Sequence, residues 1–179
     1  MIVSHEWLKQ FVPHTRSAQD IGDALSRHCV TLDNIERLGA ELASFVVAQV
    51  VQAGRHPNSD HLWVTKVDDG SGTLLDVVCG APNARAGLKA PLAQIGAELP
   101  GGFAIKAATL RGIDSAGMLC SAKELGIDAD ASGLLEWPAD APVGTALANY
   151  LGLPDARFEL KLTPNRADCF SVRGIAFDL

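Results

Sequence analysis

Apolar positions along this chain follow two different rhythms. The opening stretch is helical in spacing: Glu6 to Val12 carries Trp7, Leu8 and Phe11 together and is halted by Pro13. Ser17-Ala18-Gln19-Asp20 then starts a second helix with Ser17 as its N-cap, and Ile21, Ala24, Leu25 and His28 recur on one face. Such a stripe needs something to pack against. Val30 to Leu38 alternates imperfectly, with Val30, Leu32 and Ile35 apolar, and reads as a strand or extended arm leading into Gly39-Ala40.

From Phe45 the period shortens to that of strands. Phe45 to Ala53 is almost wholly apolar and rich in Val, His56-Pro57-Asn58-Ser59-Asp60 is a dense turn signal, and Leu62 to Val67 resumes with β-branched and aromatic residues. Leu74 to Cys79, the turn Gly80-Ala81-Pro82-Asn83, Pro91 to Ile95, the break Leu99-Pro100-Gly101-Gly102 and Phe103 to Leu110 continue the series. Five short strands with glycine corners predict a small barrel. Ser121 and Glu124 have capping-box spacing, so Ser121 to Leu125 is expected to form one helical turn halted by Gly126. Asp128-Ala129-Asp130-Ala131 follows as an acidic loop. Phe158 to Leu162 alternates as a strand, and Asn165 with Asp168 marks the expected start of a last helix running through Val172 to Leu179. That helix has no stop signal, so the protein is expected to continue past Leu179.

Composition narrows the class. With 179 residues and 47% hydrophobic positions the chain can bury one large core or two small ones. No run approaches the roughly 18 apolar residues of a transmembrane helix, and Met1 to Glu6 lacks the features of a signal peptide, so a cytoplasmic location without membrane association is expected. Cys29, Cys79, Cys120 and Cys169 are spread singly, which predicts reduced, mostly buried thiols and no metal. Paired carboxylates, a Gly-rich phosphate loop and a nucleophile with a base at readable spacing are all missing, so no catalytic residue is assigned.

The formal charge of −6 constrains any contact with nucleic acid. Between Ala40 and Leu151, seven Lys and Arg face twelve Asp and Glu, a balance of −5. Contact with RNA would have to come from a local cluster of cations and be salt-sensitive. The candidates are Arg55, His56, Lys66, Lys106, Arg111 and Lys123, with the lysines placed to line an exposed barrel face. His56 and His61 also fit as local hydrogen-bonding devices of the turn. Trp63 alternates with Thr65 and Val67 and belongs in the core or an interface. Asn58 and Ser121 stabilise a turn and a cap, whereas Asn165 and Arg166 cap a helix and pair with nearby acids.

The segment from about Phe45 to Tyr150, through His56-Pro57-Asn58-Ser59-Asp60, Val78-Cys79-Gly80-Ala81-Pro82-Asn83 and Gly117-Met118-Leu119-Cys120-Ser121, resembles a tRNA-binding OB-fold domain. The flanks extend the likeness. The Trp7-Leu8 helix, the Ile21-to-Leu38 unit and Leu162-Thr163-Pro164-Asn165-Arg166-Ala167-Asp168-Cys169 resemble the N-terminal region of the bacterial phenylalanyl-tRNA synthetase beta subunit. The resemblance implies a mainly β plus α architecture: a five-stranded OB-fold barrel at 40–151, inserted into a small α+β domain, helical and winged-helix-like, formed by 1–39 and 152–179. It also implies a part in a complex of two alpha and two beta chains that makes phenylalanyl-tRNA from phenylalanine, ATP (with Mg) and tRNA-Phe. In that family, adenylation and transfer belong to the alpha subunit, and editing belongs to a later beta-chain domain. This region would contribute auxiliary tRNA binding and assembly and would hold no cofactor of its own. The alternative is a structural spacer or protein-interaction module with little RNA affinity. Two positions depart from the pattern: His28-Cys29-Val30-Thr31 replaces a small Gly-containing turn, and Phe177 stands where relatives often carry Arg.

Overall fold

Residues 1–179 are described by a computed structural model, in which the period-two stretches account for most of the strands. In chain order the elements are β1 (Ile2–Ser4), α1 (His5–Lys9), α2 (Ala18–His28), β2 (Thr31–Leu38), β3 (Phe45–Arg55), β4 (Trp63–Asp68), β5 (Leu75–Cys79), β6 (Lys89–Gln94), β7 (Glu98–Leu99), β8 (Phe103–Ala104), β9 (Ala108–Leu110), β10 (Ile113–Ser115), β11 (Gly117–Leu119), α3 (Leu147–Tyr150), β12 (Asp155–Lys161) and α4 (Val172–Phe177). They pack as two units, Met1–Ala40 with Gly152–Leu179, and Glu41–Leu151. No helix is long and apolar enough to cross a membrane.

The smaller unit is built around an antiparallel sheet of order β1-β12-β2. β12 alternates cleanly, burying Ala156, Phe158 and Leu160 and exposing Arg157, Glu159 and Lys161, as a strand with one face on a core must. This unit thus combines a three-stranded sheet with short helices. Its third strand, β1, is too short to show a period in the sequence. α2 starts where Ser17 predicts: the Ser17 hydroxyl accepts the Asp20 N–H, and the Asp20 carboxylate accepts the Ser17 N–H in return, both at 3.2 Å. The Ser17 hydroxyl, which also donates to this carboxylate at 2.7 Å, and the Ser17 N–H hold the Asp20 carboxyl below the usual carboxylate range. The buried face of α2 carries Ile21, Gly22 and Leu25, while His28 is exposed. At Gly22 helix and strand approach closely: a Cβ there would lie 2.6 Å from Ile35 Cδ1 and 2.9 Å from Leu32 Cδ2. Leu8 is fully buried, whereas Trp7 and Phe11 stay about half exposed because α1 ends at Lys9 and turns only His5 and Leu8 inward.

The last helix does not start at Asn165. A short turn at Ala167–Cys169 comes first, and the helix opens at Ser171, whose hydroxyl accepts the Gly174 N–H at 2.9 Å. Gly174 is what lets turn and helix meet, since a Cβ there would fall 1.9 Å from the Asp168 carbonyl oxygen. α4 is capped by Asp178 and does not run on through Leu179. Arg166 pairs with Asp168 and Asp178, and its guanidinium donates to Cys29 O at the C-terminus of α2 at 3.1 Å.

The larger unit is mostly β. Its five-stranded antiparallel sheet has the order β11-β6-β3-β4-β5. The outer strands are drawn together by the Ala116 N–H, which donates to Asp76 O at 2.8 Å, and by the buried Ser115 hydroxyl, which accepts from Val78 N–H and donates to Gly117 O. The result is a nearly closed, OB-like barrel, filled by Val50, Val67, Val77, Leu92 and Leu119 among others. Its fifth strand is Gly117–Leu119 and not Phe103 to Leu110, which breaks into the short strands β8 and β9. Gly117 faces Ala93 of β6 so closely that a Cβ would sit 2.9 Å from the Ala93 carbonyl oxygen.

Two outcomes follow from the smaller unit. Gly174→Ala, which in an open helix would add about 1 kcal/mol of stability, is expected to destabilise by about 1–3 kcal/mol through overpacking, read as a lowered urea midpoint. His5 is buried, its Nε2 has no hydrogen-bond partner, and its ring meets Phe158 edge-on at 5.7 Å. Burial, reinforced by the Lys9 charge, lowers its pKa. The unfolded chain therefore takes up a proton near pH 6.5 that the folded chain resists. Stability is full above that pH and declines as the pH falls through the lowered folded value. His5→Leu is expected to flatten this decline between pH 7 and 5; an unchanged pH dependence of the urea midpoint would assign it elsewhere.

Candidate nucleic-acid interface

The turn between β3 and β4 is a clamp. Arg55 and Trp63 face each other in register, and the Arg55 guanidinium lies 4.0 Å from the centroid of the Trp63 ring while donating to Asp60 O. His56 is only 3% exposed. Its Nδ1 accepts the Asn58 N–H at 3.0 Å, which leaves Nε2 to carry the proton and donate to Leu110 O at 3.2 Å. With both ring nitrogens engaged by backbone, His56 has no atom left for a ligand. In the fold it fastens the turn to the β9–β10 hairpin.

That hairpin turns on Arg111 and Gly112, with φ of 49° and 90°. Consecutive positive φ values give the mirror-image turn whose twist suits paired strands. Arginine is an unusual occupant, and its backbone is braced by Asn58, which donates to Arg111 O through Nδ2 and accepts from the Arg111 guanidinium at 3.2 Å. The clamp thus brings Arg55 and Arg111, 56 positions apart in sequence, onto the same turn.

The remaining candidates divide. Lys66 is matched across the strands with Asp76, Nζ to carboxylate at 2.7 Å, so its charge is largely balanced. Lys106 and Lys123 are exposed and, like Arg55 and Arg111, take part in no ion pair; the ion pairs of this unit are Lys66–Asp76 and Arg85–Glu136. Both lysines line an open groove. One part of it, about 720 Å³, carries Lys123, and the adjoining part, about 640 Å³, carries Lys106. The two share Val78, Phe103 and Met118, and Arg111 follows Leu110 on the wall of the second. Phe103 is 64% exposed. The sequence treated it only as the first residue of a strand; the signal available was an aromatic directly after Gly101-Gly102, at the tip of the β7–β8 hairpin.

The motif residues around the groove hold it in shape. Ser121 and Glu124 form the predicted capping box, the Glu124 carboxylate accepting both the Ser121 N–H (2.6 Å) and its hydroxyl (2.8 Å). They close a single turn that ends at Gly126 (φ 69°). Asn83 exchanges hydrogen bonds with the Leu134 backbone in both directions and also donates to Glu136. Arg85 makes two 2.7 Å bonds to that same carboxylate, which with Asn83 brings the Glu136 pKa down to about 2. All four cysteines are free thiols. Burial, with the Glu124 charge behind it, pushes the Cys120 thiol up to about 12, far from the reactive thiolate form at neutral pH.

A family model described as a putative tRNA binding domain matches residues 45–146. The phenylalanine–tRNA ligase beta subunit of Xanthomonas campestris pv. campestris (strain 8004) is 59% identical over all 179 residues, which is 100% of this chain and 22% of that protein. The beta subunit of Xylella fastidiosa (strain 9a5c) is 53% identical over the same shares. The chain thus spans about a fifth of the length of these curated relatives. Among solved structures, a MetRS related protein from Pyrococcus horikoshii aligns with 57% of this chain and 87% of its own, at 22% identity and a TM-score of 0.44. With more than half its residues matched by the family model, the chain belongs to the putative tRNA binding domain family, and along its whole length it is similar to the N-terminal part of phenylalanine–tRNA ligase beta subunits.

Proposed function

We propose that this chain is an auxiliary tRNA-binding and assembly module in the N-terminal region of a phenylalanine–tRNA ligase beta subunit. The observation that carries this reading is the placement of cations without ion pairs: Lys106 and Lys123 line one groove on a unit whose overall balance is acidic. Arg55 stands on the turn that Arg111 braces. These groups suit phosphate oxygens, which fix a nucleic acid's position without reading its sequence. Lys66 contributes less, because Asp76 already compensates it.

In this reading, residues 40–151 are an OB-fold insertion in a small winged-helix-like domain of 1–39 and 152–179. The rest of the beta subunit and the alpha subunit, in an alpha2-beta2 complex, carry out the cytoplasmic synthesis of phenylalanyl-tRNA from phenylalanine, ATP and tRNA-Phe, with Mg. The present residues hold no cofactor and act by binding and placement, with no catalytic step of their own. A second reading, a structural spacer or protein-interaction module, is favoured by the −5 balance of the barrel region and by the pairing of Lys66 and Arg85 with acids.

Filter-binding titrations of tRNA at several salt concentrations separate the two. The expected result is a weak affinity that falls steeply with salt, with a log–log slope that shrinks by about 0.7–0.9 for each phosphate-contacting cation removed. Lys106→Ala and Lys123→Ala together are expected to weaken binding at least several-fold, and Lys66→Ala much less. Absence of tRNA affinity at low ionic strength leaves the spacer reading in place.

A further inference from the structure

Beyond contact with phosphates, we infer that the groove between Lys106 and Lys123 receives an unpaired RNA base stacked on Phe103; this rests on the tRNA-binding reading above. The barrel unit has five aromatic side chains. Phe45 is fully buried, Trp63 lies under the Arg55 guanidinium, and Trp137 and Tyr150 pack edge to face at 5.1 Å. Phe103 alone presents a mostly exposed ring, and it does so inside the groove, where it borders both parts with Val78 and Met118. An exposed phenyl on a convex surface calls for no explanation. One that walls an apolar trough with an unpaired ammonium group on either side forms the combination that single-stranded nucleic acid uses: a π-face for the base and cations for the phosphates that flank it.

Charge in the groove is consistent with an anionic guest. The carboxylate lining it, Glu124, is turned to the Ser121 N–H and hydroxyl, which absorb much of its field, and the two lysines are uncompensated. A paired duplex hides its base faces, so the groove is selective for loops, bulges or ends. Phe103 takes no part in the barrel core and sits on the two-residue strand β8, so its replacement leaves the fold intact.

The test uses the 179-residue chain and its Phe103→Ala, Phe103→Leu and Phe103→Trp variants, with tRNA, a short oligoadenylate and a blunt RNA duplex as probes. Circular dichroism and thermal midpoints verify folding. Phe103→Ala and Phe103→Leu are expected to weaken oligoadenylate binding about 5- to 100-fold with the salt slope unchanged, whereas Phe103→Trp retains it and the duplex binds more weakly than either single-stranded probe. Wild-type affinity in Phe103→Leu would reduce the ring to an apolar wall and overturn the inference, as would equal binding of duplex and oligoadenylate. Failure of the broader reading looks different: wild-type chain that binds oligoadenylate through Phe103 but not tRNA sinks the tRNA role and leaves the stacking site standing. Chain that binds tRNA regardless of residue 103 does the reverse.

Discussion

The barrel depends on one strand serving two neighbours. β3 pairs with β6 from Phe45 to Gln49 and with β4 from Gln49 to Arg55, and the register slips between Val50 and Gln52, where Val51 is left facing outward. Such a bulge bends a strand and raises its twist. Without the bend, β6 and β4 would extend as a flat sheet with two open edges. With it, β5 swings toward the β10–β11 corner, close enough for Asp76 O to accept the Ala116 N–H. The early part of β3 carries Phe45, Val47, Ala48 and Val50, all fully buried, while its far end is exposed and delivers Arg55 to the turn.

Electrostatics are settled locally on this unit and not by net charge. The acids outnumber the bases, yet several have assignments within the fold: Asp76 to Lys66, Glu136 to Arg85 and Asn83, Glu124 to Ser121 and Asp69 to Ser71 and Gln94. An exposed ion pair contributes little stability, but it does determine which charges remain to attract a partner. The groove lysines remain. Residual acidity elsewhere limits the long-range attraction this surface exerts on a polyanion.

Much of the β pattern was legible because its strands are Val-rich and separated by Gly, Pro and Asn turns, and because Ser17-to-Asp20 and Ser121-to-Glu124 are capping pairs whose two members lie three residues apart. Local chemistry of that range is visible in sequence. Features made by distant contacts were not. β11 is three residues long and begins with a glycine whose reason is the Ala93 carbonyl opposite. The late start of α4 depends on Gly174 meeting Asp168 O, and helical spacing alone pointed to Asn165. The candidate cations could be named by type, but what separates them is a partner set by strand register or by a distant contact, or its lack: Asp76 for Lys66 across the β4–β5 pair, and Leu110 for His56. Phe103 was hidden for the opposite reason, since strand patterns reward aromatics for burial and this one is displayed at a hairpin tip.

The hairpins β7–β8 and β9–β10 occupy residues 98–115, between two strands, β6 and β11, that already pair directly with each other. The β6–β11 ladder therefore runs without them, although Ser115, at the end of β10, ties them into the closure of the barrel. This stretch carries Phe103, Lys106 and Arg111, while Lys123 belongs to the one-turn cap that follows β11. Exchange of the β7–β8 tip between related barrels, with β10 and its Ser115 kept, is a route by which evolution, or a designer, can alter the groove's wall while the closure of its support is retained.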